Sequence, residues 1–73
     1  MRDELTAKIT QDIPGADVDV QLDGNRAMII VTSDAFVGMS RVKQQQTVYA
    51  SIDAYISDGR LHAVTIKAQI PNG

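Results

Sequence analysis

Cysteine is absent from the 73 residues, which excludes disulfide staples, a thiol nucleophile, and any zinc or iron-sulfur site built from this chain's own thiolates. Tryptophan is absent too, so Phe36, Tyr49 and Tyr55 are the only aromatic residues, and the core has to be assembled from Ile, Val, Leu, Met and Ala around them. No apolar run is long enough for a membrane span, and residues 1–15 scatter charges among short apolar side chains, unlike a signal-peptide core. A cytoplasmic protein without a membrane partner is expected. Histidine occurs once, at His62. With no Cys, that leaves Ser or Thr as nucleophile and no signature to set one beside a base, and no glycine-rich phosphate loop is present. An enzyme is not expected.

What is there describes one small domain, because a chain of this length has room for a single core. Hydrophobic residues at 44% and charged residues at 22% match a globular composition rather than a disordered tail. A formal net charge of −2 disfavours strong non-specific binding to nucleic acid. Leu5, Ile9 and Ile13 recur every fourth residue and predict a one-sided helix that stops before Pro14 and Gly15. Asp17 to Leu22 alternates, with Val18, Val20 and Leu22 on one face, as in a half-exposed strand. Asp23, Gly24 and Asn25 suit a tight turn into the β-branched run Ala27 to Thr32, completing a hairpin.

Ser33 to Met39 reads as a loop that exposes Phe36 and Val37 beside Gly38. Ser40 is placed to cap a long helix in which Val42, Val48, Tyr49, Ile52, Tyr55 and Ile56 share a stripe and Gly59 ends the last turn. Leu61 to Ala68 alternates again, with His62, Val64, Ile66 and Ala68 on one parity. Pro71 and Gly73 close the chain. The fold class is α+β: helix, strand, strand, helix, strand, with a three-stranded mixed sheet whose second and third strands are parallel across the helical crossover and whose helices cover one face. Val42, Tyr49, Ile52 and Ile56 are expected to pack beneath the sheet with Leu5 and Ile9.

Three features invite a chemical reading. Asp17, Asp19 and Asp23 lie in an alternating strand without the bidentate Glu of a calcium loop, which makes them a solvated face. Ala35 to Ile52 contains no acid, while Arg41 and Lys43 fall in the first turn of the long helix, where cations oppose the macrodipole. They are either a tolerated surface turn or cations used outside the helix. His62 is either a partly buried His hydrogen-bonded within the fold or a metal ligand whose other ligands come from a partner.

Phe36 to Pro71 resembles the BolA family, most closely its IbaG-like branch. The resemblance rests on FVGMSR at the loop and helix start, VY in mid-helix and HAV in the last strand before the terminal Pro. It implies a fold related to the class II KH topology. It also implies a non-enzymatic partner of monothiol glutaredoxins that helps ligate a bridging [2Fe-2S] cluster in iron-sulfur assembly, trafficking or iron sensing. The glutaredoxin Cys and glutathione would hold one iron of that shared cluster, and His62 would ligate the other; the isolated chain would bind none. The hairpin loop, where relatives often carry a second His or Cys, has Asp23, Gly24, Asn25 and Arg26, so Asp23 is the weak candidate for a second ligand. Phe36, Gly38, Ser40, Arg41 and Lys43 are the candidate glutaredoxin-binding face, an aromatic anchor beside two steering cations. The family's link to stress response supplies the alternative, a DNA-binding transcriptional regulator that reads base edges from the start of the long helix. The expected unit is one domain over 1–73, a monomer with a weak homodimer left open, lacking the C-terminal helix that family members usually carry.

Overall fold

The computed structural model describes residues 1–71; Gly73, read above as closing the chain, lies outside the described residues. The element order is α1 (Arg2–Asp12), β1 (Asp17–Asp23), β2 (Arg26–Thr32), the short 3-10 helix Asp34–Phe36, α2 (Arg41–Ser57) and β3 (Ala63–Gln69). The sheet runs β1-β2-β3, with β1 antiparallel and β3 parallel to β2. This is the expected α+β architecture.

Each junction has a local cause. Pro14 has no N–H to extend α1 and disfavours helical geometry at Ile13. The Ala16 N–H instead donates to the Ile13 carbonyl at 3.1 Å across a turn whose Gly15 sits at φ 78°, the positive value that a type II turn demands of its third residue. Asp23 pairs with Arg26, leaving Gly24 and Asn25 as a two-residue loop. Gly24 alone takes positive φ there, the requirement of a type II′ turn.

The sheet register sorts the side chains into two faces. Val20, Ile29 and Ile66 lie across one another, as do Val18, Val31 and Ala68, and this is the face on which α1 and α2 pack. Leu5 and Ile9 of α1 join Val20, Ile29 and Val31 from the sheet and Val48 and Ile52 from α2 in one core. Burying side chains of this size stabilises by about 1.5–3 kcal/mol each before entropy is counted. Leu22 reaches past the end of the helical layer and stays exposed.

Three packing expectations are corrected. Val42 and Tyr49 do not lie beneath the sheet: they are 65% and 44% exposed, because the stripe that α2 buries runs through Val48, Ser51 and Ile52. Tyr55 and Ile56 are half-buried at its margin. Phe36, expected at the surface, is 0% exposed and supplies the core's aromatic ring. The Ala35 N–H donates to Ser33 Oγ at 3.0 Å, tightening residues 34–36 into the 3-10 turn that swings Phe36 inward and leaves Val37 outside.

Candidate functional site

Two regions hold the residues singled out by sequence. The first is the junction of α2, β3 and the hairpin. Gly59, at φ 80°, terminates α2, and the Arg60 and Leu61 N–H groups donate back to the Tyr55 carbonyl at 3.1 and 3.3 Å. Arg60 is held over the Tyr55 ring at 5.5 Å and lies 3.5 Å from Glu4. Leu61 is buried and anchors the chain as it turns toward the sheet.

His62 follows, just before β3 rather than within it, and it is exposed. That corrects the reading of a partly buried His tied into the fold. Its backbone N–H donates to the Asn25 carbonyl at 2.9 Å, and its neighbour Ala63 is the register partner of Arg26. The His62 backbone is hydrogen-bonded between a buried Leu and the sheet ladder, while its imidazole makes no hydrogen bond to the described residues. His62 and the Asp23–Arg26 loop are thus brought together at one end of the sheet. Asp23 is exposed at the last position of β1, opposite Arg26. Among the described residues, no three His, Cys, Asp or Glu side chains gather to hold a metal ion.

The second region is the start of α2. Ser40 Oγ accepts from the Lys43 N–H at 3.1 Å, which makes Ser40 the expected N-cap. Gly38 sits at φ 86°, and a Cβ there would meet open space, so its requirement is conformational. Arg41 and Lys43 are exposed. Arg2, Lys8 and Arg60 take part in ion pairs, whereas Arg26, Arg41, Lys43 and Lys67 have no such partner among the described residues. Gly38, Ser40, Arg41 and Lys43 therefore share a solvent-facing region, but Phe36 does not offer its ring there; Val37, 63% exposed, is the apolar side chain that does.

Two functional-looking residues escaped the sequence reading. Gln44 Nε2 donates to the carbonyls of Phe36 at 3.3 Å and Met39 at 3.1 Å, clamping the loop onto α2. Gln45 Nε2 donates to the Ile66 carbonyl at 2.9 Å, tying α2 to β3. The triplet Gln44-Gln45-Gln46 looks like a solvated run; the one available signal was that Gln44 lies one helical turn before the buried Val48.

Comparison with known proteins adds to this geometry. The family description "BolA-like protein" matches residues 19–73. The chain is 43% identical over 68 residues to the acid stress protein IbaG of Escherichia coli strain K12, covering 93% of this chain and 81% of that protein. Its fold is similar to that of BolA1 from Arabidopsis thaliana, with a TM-score of 0.84 at 21% identity over 96% of this chain and 90% of the other. It is similar as well to the BolA domain of SufE1 from the same plant, with a TM-score of 0.82 at 23% identity, covering 96% and 91%. No described helix is long and apolar enough to cross a membrane.

Proposed function

This chain belongs to the BolA-like family, and on that premise we propose that it is a non-enzymatic, cytoplasmic partner of a monothiol glutaredoxin, contributing a ligand to a shared [2Fe-2S] cluster. The observation that carries the reading is His62: the chain's single imidazole is exposed, on a backbone hydrogen-bonded to Asn25, beside the hairpin loop. A neutral imidazole nitrogen is an established ligand for iron in such clusters. The donor set fits a contributor and not a sole holder, since one imidazole and the harder carboxylate of Asp23 leave most of the coordination to the partner and its glutathione. When bound, the cluster supplies iron and one-electron chemistry to whatever receives it.

This chain's own residues hold the imidazole out, through the Leu61 anchor and the Asn25 contact, and meet the partner through Val37, Gly38, Arg41 and Lys43. Exposed cations such as Arg41 and Lys43, unpaired among the described residues, raise the encounter rate with an acidic surface, and that effect weakens with salt. Titrating the protein with cluster-loaded glutaredoxin while recording visible absorbance tests the reading. A new spectrum saturating at one chain per glutaredoxin supports it, and an unchanged spectrum overturns it. The Arg41→Glu, Lys43→Glu double variant should associate several-fold more slowly at low salt. If that variant instead loses duplex DNA and keeps glutaredoxin, the DNA-binding regulator becomes the better reading, and the relative's name as a stress protein would then point the same way.

A further inference from the structure

Beyond the His62 end, no strand among the described residues pairs with the outer edge of β3. The Ser33 N–H donates to the Gln69 carbonyl and the Ala63 N–H to the Asn25 carbonyl, so in this parallel ladder Ala63, Thr65, Lys67 and Gln69 turn their backbone groups toward β2. Val64, Ile66 and Ala68 therefore direct their N–H and C=O groups outward. Among the described residues only the Ile66 carbonyl of that set is satisfied, by the Gln45 amide.

Beside this edge α2 exposes Val42 and Tyr49. Between helix and strand lie two adjoining grooves of about 510 and 490 Å³, both touched by Gln45, Gln46 and Ile66. Charge is unevenly placed along them. Arg41 and Lys67 stand at the end near Ala68, neither with an ion pair among the described residues, and Asp53 stands at the opposite end.

We infer that the β3 edge and the α2 groove accept an extended acidic segment of a protein partner as a fourth strand, antiparallel to β3. Strand addition satisfies a row of outward backbone groups while alternate side chains fill an adjoining groove. The groove asks for β-branched or other apolar side chains against Val42, Tyr49 and Ile66. The cations ask for acids at the Ala68 end, which in an antiparallel strand is the segment's N-terminal half; Asp53 disfavours acids at its other end. Gln45 acts as a gatekeeper, since its amide occupies the carbonyl at the centre of the edge.

The test uses a capped nine-residue peptide of alternating Val and polar residues, Glu in its N-terminal half and Thr in its C-terminal half, added to the isotope-labelled full chain. Three results are expected. The Val64, Ile66 and Ala68 amides shift and become protected from exchange. Lys67→Glu with Arg41→Glu weakens binding ten-fold or more, whereas Gln45→Ala tightens it. A peptide with Lys in place of Glu, or with alternate backbone nitrogens methylated, fails to bind. Undisturbed edge amides, equal binding of the Lys peptide, or equal binding of the methylated peptide would each overturn the proposal. Concentration-dependent shifts of the same amides without peptide, accompanied by dimer in sedimentation, would also overturn it by assigning the edge to a second copy of this chain. None of these readouts involves His62 or a cluster, so failure here leaves the glutaredoxin reading standing.

Discussion

Truncating Phe36 to Ala separates a core aromatic from a surface anchor by a wide margin. The ring is 0% exposed and belongs to the same cluster as Leu5, Ile29, Val48 and Ile52. Removing a ring from such a site loses its transfer free energy and leaves a cavity, together about 3–5 kcal/mol, whereas an exposed residue would cost about 0.5 kcal/mol or less. A domain of this size is expected to have a total stability on the order of 4–11 kcal/mol, so the variant should lose about a quarter of it or more. In urea titrations followed by far-ultraviolet circular dichroism, the Phe36→Ala midpoint should fall sharply with little change in slope. Its melting temperature should drop by more than about 12 °C, at roughly 4–8 °C per kcal/mol for a chain this short. Val37→Ala, one residue away and exposed, is the internal control and should barely move. A Phe36→Ala midpoint indistinguishable from that of Val37→Ala would refute the inward placement of the ring and restore Phe36 as a candidate partner anchor.

Ser40→Ala removes the acceptor for the Lys43 N–H and should cost about 0.5–2 kcal/mol by thermal denaturation, with Ser40→Asp recovering most of it; an unchanged melting temperature would contradict the cap. The Asp12 carboxyl is held below its usual range by its hydrogen bond to Lys8 and secondarily by Ser51. Its stabilisation is therefore present above the unfolded carboxylate value of about 4 and lost as pH falls through the folded one. The stability difference between wild type and Asp12→Asn, measured by urea titration from about pH 6 to 2.5, should shrink toward zero at the acid end; a constant difference would count against it. Asn25→His puts a second imidazole next to the backbone that holds His62, and should slow the loss of visible absorbance from the mixed complex several-fold, whereas an identical decay would place the loop out of ligating reach.

Much of the fold was legible because short-range rules and tertiary packing agree over most of the chain. Alternation in β1, the β-branched run of β2, Pro14 with Gly15, the Ser40 cap and Gly59 each encode their element through local geometry, and the parallel pairing follows from the length of α2. The errors share a cause: which residues of an amphipathic element face inward depends on neighbours that periodicity does not specify. Val42 and Tyr49 fit the helical stripe by spacing, but α2 sits over β3 at an edge of the sheet and leaves that flank uncovered. Phe36 sits in a loop, where no period applies, and the Ser33 side chain decides its direction. His62 shares its parity with Val64 and Ile66, yet it precedes the strand by one residue and so escapes the helical cover. Gln44 and Gln45 act through side-chain amides on distant carbonyls, contacts for which a glutamine triplet has no sequence signature.

The most direct measurement compares His62→Ala with wild type in the presence of cluster-loaded glutaredoxin, by visible absorbance and circular dichroism, alongside calorimetric titration of the apo proteins. The variant should fail to develop the spectrum of the mixed complex while binding apo glutaredoxin within about two-fold of wild type, because the imidazole is a ligand and the contact face lies at the start of α2. A wild-type spectrum from His62→Ala would contradict the assignment and reduce His62 to an exposed side chain at the edge of the sheet.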